Sequence, residues 1–268
     1  MFIHPDFDPV ALQIGPIAIH WYGLMYIFGF MSVHWLARYQ LKERGEWEQS
    51  VPAQHFEGLF TWLILGVVAG GRIGYILFYN LAYYLQHPVE ILYVWQGGMS
   101  FHGGLLGPIL FGWWYCQKNK LPFLTLCDRL FVAAPLALAF GRLGNFINGE
   151  LWGRVSDVPW AMVFAHAGPE PRHPSQLYEL MLEGVLLFCL LWFTRKRQWP
   201  DGTRVALFLI AYATARIFCE LFRQPDAQLG FLFASITMGM LLSFLMFAAG
   251  LSWIIYLQKK KAPVNMDV

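Results

Sequence analysis

The stretch from Gly141 to Arg154, Gly-Arg-Leu-Gly-Asn-Phe-Ile-Asn-Gly-Glu-Leu-Trp-Gly-Arg, sets two arginines, two asparagines and a carboxylate into a chain otherwise dominated by long apolar runs. In hydrocarbon every polar group needs a partner or water, and a charge near the bilayer centre costs about 3 kcal/mol on insertion scales. A cluster of this kind is there to meet something polar. Arg142 has no acidic residue within four positions, its nearest being Glu150, so a local ion pair does not account for it. Asn145 and Asn148 stand three apart, on one face if the helix continues, where their amides would hold ligand hydroxyls or cap a broken helix. Arg216 and Glu220 are spaced i, i+4, an internal pair that leaves part of the guanidinium fork for a ligand. His102, in Ser-Phe-His-Gly-Gly-Leu-Leu-Gly, is a candidate general base, against the plainer role of bonding a neighbouring helix. Tyr22, close to Trp21 and Tyr26, is either a ligand contact or an interfacial aromatic anchor. In Arg172-His173-Pro174-Ser175-Gln176-Leu177-Tyr178-Glu179, helix initiation by Ser175 and Glu179 explains part of the pattern but not Gln176 and Tyr178 together.

Nothing in the chain resembles a nucleophile elbow, and no cysteine lies beside these polar residues in a nucleophile's setting, so a covalent protein intermediate is not expected. Cys116, Cys127, Cys189 and Cys219 fall in or beside apolar segments without metal-ligand spacing, as small buried hydrophobes do. What remains is a set of arginines suited to an anion, a possible base and hydroxyl-binding amides.

The elements that must position these groups are membrane helices. The chain is 57% hydrophobic and only 13% charged, with a mean hydropathy of +0.45, far too apolar for a soluble domain. A net charge of +2 with scattered basic residues excludes a nucleic-acid partner. Windows of about 20 apolar residues, enough to cross the hydrocarbon, predict an all-α integral membrane protein with seven spans near 17–37, 57–79, 99–117, 124–147, 175–194, 204–222 and 231–257, with 148–174 as an extracytoplasmic connection. The N-terminus has Asp6 and Asp8 but no basic residue before the first apolar run, so that run is expected to be retained as a span.

Thirteen of the 19 basic residues fall in alternate connections and the tail: Arg38, Lys42, Arg44; Lys118, Lys120, Arg129; Arg195, Lys196, Arg197, Arg204; Lys259, Lys260, Lys261. By the positive-inside rule that side is cytoplasmic, which places the N-terminus outside and the C-terminus inside. The six left over, Arg72, Arg142, Arg154, Arg172, Arg216 and Arg223, are all arginines. Arginine keeps its charge when dehydrated and offers a planar fork to phosphate or carboxylate. Counting ~1.5 Å per residue from the cytoplasmic edge puts Arg72, Arg142 and Arg216 roughly 18 to 23 Å deep, in the outer leaflet. Tyr22 and His102, counted from the outer face, reach a similar level, so five polar side chains are expected to share one layer. The phosphate-bearing ligand abundant at that depth is a phospholipid head group. Gly66, Gly70 and Gly74, with Gly103 and Gly107, carry the four-residue period of close helix packing.

Ser100 to Gly107, Gly141 to Arg154, Arg172 to Glu179 and Phe222-Arg223-Gln224-Pro225-Asp226 together resemble the motifs of the bacterial prolipoprotein diacylglyceryl transferase family, and the resemblance runs from His20-Trp21-Tyr22-Gly23 through the last span. It implies a multi-pass enzyme of the bacterial inner membrane with its site towards the periplasm. The partners implied are phosphatidylglycerol and a preprolipoprotein signal peptide with a lipobox cysteine; no metal or nucleotide cofactor is implied. The diacylglyceryl group would pass to the cysteine thiol as a thioether, releasing glycerol 1-phosphate. His102 would act as base, Arg142 and Arg216 would grip the phosphate with Arg216 steered by Glu220, and Tyr22, Asn145, Asn148 and Glu150 would position the head group. A phospholipid or anion transporter or flippase is the alternative from another class, and an intramembrane protease or lipid hydrolase a second, lacking a visible nucleophile.

Overall fold

Helices form where the apolar windows predict them. The computed structural model describes residues 2–94, 97–225 and 236–261; the side chains of Ile17, Phe101, His102 and Lys261 lie outside that description. The helices are α1 (Trp21–Glu43), α2 (Ala53–Tyr79), α3 (Leu81–Gln86), α4 (Phe101–Lys118), α5 (Phe123–Ile147), α6 (Ser175–Glu179), α7 (Leu187–Thr194), α8 (Thr203–Glu220) and α9 (Met238–Lys261). A π-helical stretch, Leu180–Leu186, joins α6 to α7. Among the described residues four helices are long and apolar enough to cross a membrane: Ala53–Tyr79, Phe123–Ile147, Ser175–Thr194 and Met238–Lys260.

One difference from the expected spans has a local cause. Residues 17–20 do not open α1: Ile17–His20 (β2) pairs antiparallel with Val10–Ile14 (β1), because Gly15, at φ +58°, takes the first position of a two-residue hairpin turn. The first five residues of the expected last span, 231–235, lie outside the described residues, as does Asp226. A second short pairing, not foreseen from the sequence, runs parallel between Phe2–Ile3 and Met162–Val163 and ties the N-terminal segment to the 148–174 connection.

The chain divides into two compact units, residues 41–126 and residues 1–40 with 127–268. In the first, α2 lies directly on α4. Gly70 and Gly103 face one another so closely that a Cβ on either would strike the other's carbonyl oxygen, the backbone contact that small residues permit. Arg72, expected among the polar layer, is spent within this unit. Its buried guanidinium donates to the carbonyls of Glu90 (2.6 Å), Ile91 (2.9 Å), Gly97 (2.6 Å) and Gly98 (3.3 Å), and lies over the Tyr84 ring.

In the other unit Val132, Leu187, Leu191 and Phe208 form the apolar core between α5, α7 and α8. Asp128 and Arg204, both buried, join those helices at one end. The Asp128 carboxylate accepts from the amides of Gly202 (3.1 Å), Arg204 (3.0 Å) and Val205 (3.1 Å), satisfying the first donors of α8, and meets the Arg204 guanidinium at 3.5 Å. Arg204 in turn donates to the carbonyls of Thr194, Arg195 and Arg197 at the end of α7. Replacing Asp128 with alanine strips a buried guanidinium of its counter-charge, a loss of about 3–5 kcal/mol. The thermal midpoint of the purified protein is expected to fall by about 10 °C; an unchanged midpoint would show that this joint carries no stability.

Candidate functional site

The polar stretch after α5 is shaped by how that helix ends. Gly149, at φ +61°, adopts the left-handed conformation open to glycine, and the amide of Glu150 bonds the Asn145 carbonyl (3.0 Å) while that of Gly149 bonds the Phe146 carbonyl (3.0 Å). That bond pair is a Schellman turn. Such turns bring together the residue after the left-handed position and the one five before it, usually as an apolar contact. Here the pair is polar: Asn145 Nδ2 donates to Glu150 Oε1 at 2.9 Å, and Asn148 Nδ2 approaches the same oxygen at 3.4 Å. The opening of α6 grips the turn from one side, Gln176 Nε2 donating to the Glu150 carbonyl (2.7 Å) and Ser175 Oγ to that of Leu151 (2.9 Å). Asn148 Oδ1 and Gln176 Oε1 are buried acceptors without a hydrogen-bond partner among the described residues, chemically suited to a hydroxyl donor.

Arg142, one turn earlier on α5, points into a cluster of charges drawn from four elements. Its Nε lies 2.7 Å from Glu179 and its Nη2 3.5 Å from Glu183; its Nη1 reaches Asn145 at 3.5 Å. Arg216, on α8, donates to Glu179 (2.9 Å), Glu183 (3.4 Å) and Glu220. Arg223 adds contacts to Glu179 (3.2 Å) and Glu220 (3.8 Å). Glu220 is anchored by the hydroxyl of Thr237 (2.7 Å), the residue that precedes α9. The wide turn of the π-helical stretch lets Glu179 and Glu183 serve the same pair of arginines, and such stretches concentrate at functional sites. Gly184 permits it: a Cβ there would press to 2.5 Å on the Ala139 Cβ of α5, so the stretch sits against α5 with Glu183 beside Arg142.

Three guanidiniums meet three carboxylates, so charge is balanced and each buried ion is paired, the condition under which burial is tolerable. The two kinds are not equally placed. The carboxylate side chains of Glu179, Glu183 and Glu220 are 1%, 0% and 4% exposed, those of Arg142, Arg216 and Arg223 20%, 13% and 11%. The carboxylates are the more deeply buried set and the arginine side chains keep a small exposed fraction, with each guanidinium held by the acids beside it. That arrangement is suited to an anion, and the hydroxyl-accepting turn begins one helical turn away.

The predicted residues thus converge in part. Arg142, Arg216, Glu220, Asn145, Asn148 and Glu150 are brought together; Tyr22, whose hydroxyl is 3.3 Å from that of Tyr26, packs its ring against Gly144, and the Tyr26 hydroxyl is within electrostatic reach of Arg142 and Glu150. The His102 side chain lies outside the described residues. Arg142 has its acids after all, from 37 and 41 positions along the chain. Glu183 and Tyr212, the latter within reach of Glu183 and Arg216, belong to the cluster and were missed. A search for acidic residues one turn apart in an apolar span would have found Glu179 and Glu183. Tyr178, not accounted for by helix initiation, serves the connection: Trp160 Nε1 donates to its hydroxyl (2.6 Å), which shares a hydrogen bond with His173 Nδ1 (3.0 Å), and burial holds the His173 imidazole below its ordinary range. Among the described residues there is no acidic, His and Cys grouping that would hold a metal ion.

A family model described as prolipoprotein diacylglyceryl transferase matches residues 9–256. Proteins named phosphatidylglycerol–prolipoprotein diacylglyceryl transferase resemble the chain along almost all of its length. That of Desulfotalea psychrophila is 50% identical, covering 96% of this chain and 97% of its own. That of Bordetella avium is 52% identical (94% and 95%), and that of Aliivibrio fischeri 53% (96% and 91%).

Proposed function

The chain belongs to the prolipoprotein diacylglyceryl transferase family, and from that premise we propose how its site carries out the transfer of a diacylglyceryl group from phosphatidylglycerol to a prolipoprotein. The acceptor is the lipobox cysteine of a preprolipoprotein signal peptide. Its thiol, as thiolate, attacks the glycerol carbon bonded to the phosphate oxygen; the carbon–sulfur bond forms as the carbon–oxygen bond breaks, and glycerol 1-phosphate leaves. The thiol proton passes to His102. Because the departing phosphate gains a negative charge, catalysis needs cations fixed where that charge develops. Arg142 and Arg216 take that role in this reading, and the ion pairs that hold them against Glu179, Glu183 and Glu220 support it. The observation that carries this assignment is the sharing of one buried set of carboxylates by two arginines from separate helices. Tyr22, Asn145, Asn148 and Glu150 position the head group, whose glycerol hydroxyls match the unpartnered acceptors on Asn148 and Gln176.

The protein spans the bacterial inner membrane seven times as one polytopic domain, with 148–174 as the extracytoplasmic connection, its N-terminus and site towards the periplasm and its C-terminus in the cytoplasm. The charge bias of the connections supports this orientation. A transporter or flippase finds no support among the relatives.

Purified protein supplied with phosphatidylglycerol is expected to release glycerol 1-phosphate only when a lipobox cysteine peptide is present. Release without the thiol, or none with it, would overturn the proposal. For the base, His102→Gln is expected to lower turnover by about a hundredfold while phosphatidylglycerol affinity holds. Affinity falling in parallel with unchanged single-turnover chemistry would remove His102 from that role.

A further inference from the structure

His4 sits outside every motif discussed so far, yet it is buried, 4% exposed, and its ring touches the turn that carries Asn145 and Glu150. The short strand Phe2–Ile3 delivers it there, and its own amide continues that pairing by bonding the Val163 carbonyl at 2.9 Å. The ring stacks on Phe164, meets Phe146 and Phe7 edge-on, and lies against Gly149, from which a Cβ would be 3.5 Å from His4 Cε1. Its two nitrogens have different partners. Nε2 is 2.6 Å from the Phe146 carbonyl oxygen, which can only accept, so Nε2 carries a proton and donates. Nδ1 receives the amide of Asp6 at 3.2 Å, so it carries none. The hydrogen bonds therefore assign the donor role to Nε2 and the acceptor role to Nδ1. The Phe146 carbonyl already accepts from Gly149 within the Schellman turn, so His4 is a second donor on the oxygen that closes that turn.

We propose that His4 is a positioning residue of the transfer site: its ring clamps the turn through the Phe146 carbonyl and thereby fixes Asn145 and Glu150 where they meet the lipid head group. This rests on the head-group role given to those two residues above. An aromatic hydrocarbon at position 4 would satisfy Phe7, Phe146 and Phe164 equally well; only an imidazole adds a donor towards Phe146 and an acceptor for Asp6. Nothing else in the N-terminal segment reaches the turn with a polar side chain among the described residues.

The test compares His4→Phe, which keeps the ring and its packing, with His4→Gln, whose amide nitrogen replaces the Nε2 donor. In purified full-length enzyme with phosphatidylglycerol micelles and a lipobox peptide, His4→Phe is expected to raise KM for phosphatidylglycerol about tenfold, the scale of one well-placed hydrogen bond, with a smaller change in kcat. His4→Gln is expected to stay within about threefold of the parent enzyme. If His4 only stabilises the fold, His4→Phe lowers the thermal midpoint and leaves KM unchanged, which overturns the proposal; so does a glutamine variant as impaired as the phenylalanine one. A parent enzyme that transfers nothing would fail the function and not this clamp, which an independent readout addresses. In histidine-labelled protein the imidazole signal lost in His4→Gln should report a protonated Nε2 and an unprotonated Nδ1. A ring protonated at Nδ1 would overturn the clamp.

Discussion

Arg142→Lys is expected to cut diacylglyceryl transfer by about a hundredfold although the positive charge is kept, since a loss near 3 kcal/mol in the transition state corresponds to that factor. Arg142 makes three separate contacts from one planar group: Nε to Glu179 at 2.7 Å, Nη2 to Glu183 at 3.5 Å and Nη1 to Asn145 at 3.5 Å. An ammonium is a single point on a flexible stem and reproduces only one of them. Each hydrogen bond to a charged group is worth about 1.5–3 kcal/mol. Losing two therefore spans the expected effect, before counting the fork face that would meet phosphate. Steady-state transfer of labelled lipid to a lipobox peptide reads it directly. Near-normal turnover by the lysine variant would mean that charge alone matters at this position, and the planar-fork role would fall.

The contrast between what was and was not legible follows the range of the interactions. Helices were legible because a run of apolar residues long enough to cross hydrocarbon is a local signal, and α2, α4 and α5 begin and end within a few residues of the windows. The Arg216–Glu220 pair was legible for the same reason, being one turn apart on a single helix. Arg142 was not, because its carboxylates come from a distant helix; the absence of a nearby acid pointed correctly to a special environment and wrongly to an arginine without an acid. Arg204 shows the converse. Counted as a cytoplasmic loop charge, it is buried against Asp128, 76 positions away, and its charge is spent on the helix ends it joins. Arg72 was grouped with the anion-holding layer on depth alone, and depth says nothing of the four carbonyls that occupy it. The π-helical stretch has no hydropathy signature at all, since one wide turn leaves an apolar run apolar. Nor does the Schellman turn's polar pairing: Asn145 and Glu150 were both singled out, but only the positive φ of Gly149 makes them neighbours.

Glu179→Gln is expected to be as damaging as the arginine change, and for a reason that separates charge from shape. Its side chain is 1% exposed and receives Arg142 at 2.7 Å, Arg216 at 2.9 Å and Arg223 at 3.2 Å, so one carboxylate holds all three guanidiniums. Glutamine preserves volume and one acceptor oxygen but presents an NH2 group to cations on the other side, and the cluster moves from balance to one net positive charge. An excess of positive charge attracts anions, so phosphatidylglycerol affinity should hold or rise slightly. Turnover should fall by about a hundredfold, because breaking one member of a buried ion pair costs about 3–5 kcal/mol and the arginines lose the brace that aims them. Binding kept while chemistry is lost is the signature expected of preorganised electrostatics. It would be read by measuring lipid affinity and single-turnover transfer on the same preparation. Should affinity and rate fall together while the thermal midpoint collapses, Glu179 holds only the fold; should both stay within about threefold of the parent, worth under 1 kcal/mol, the carboxylate is not the joint on which the arginine pair turns.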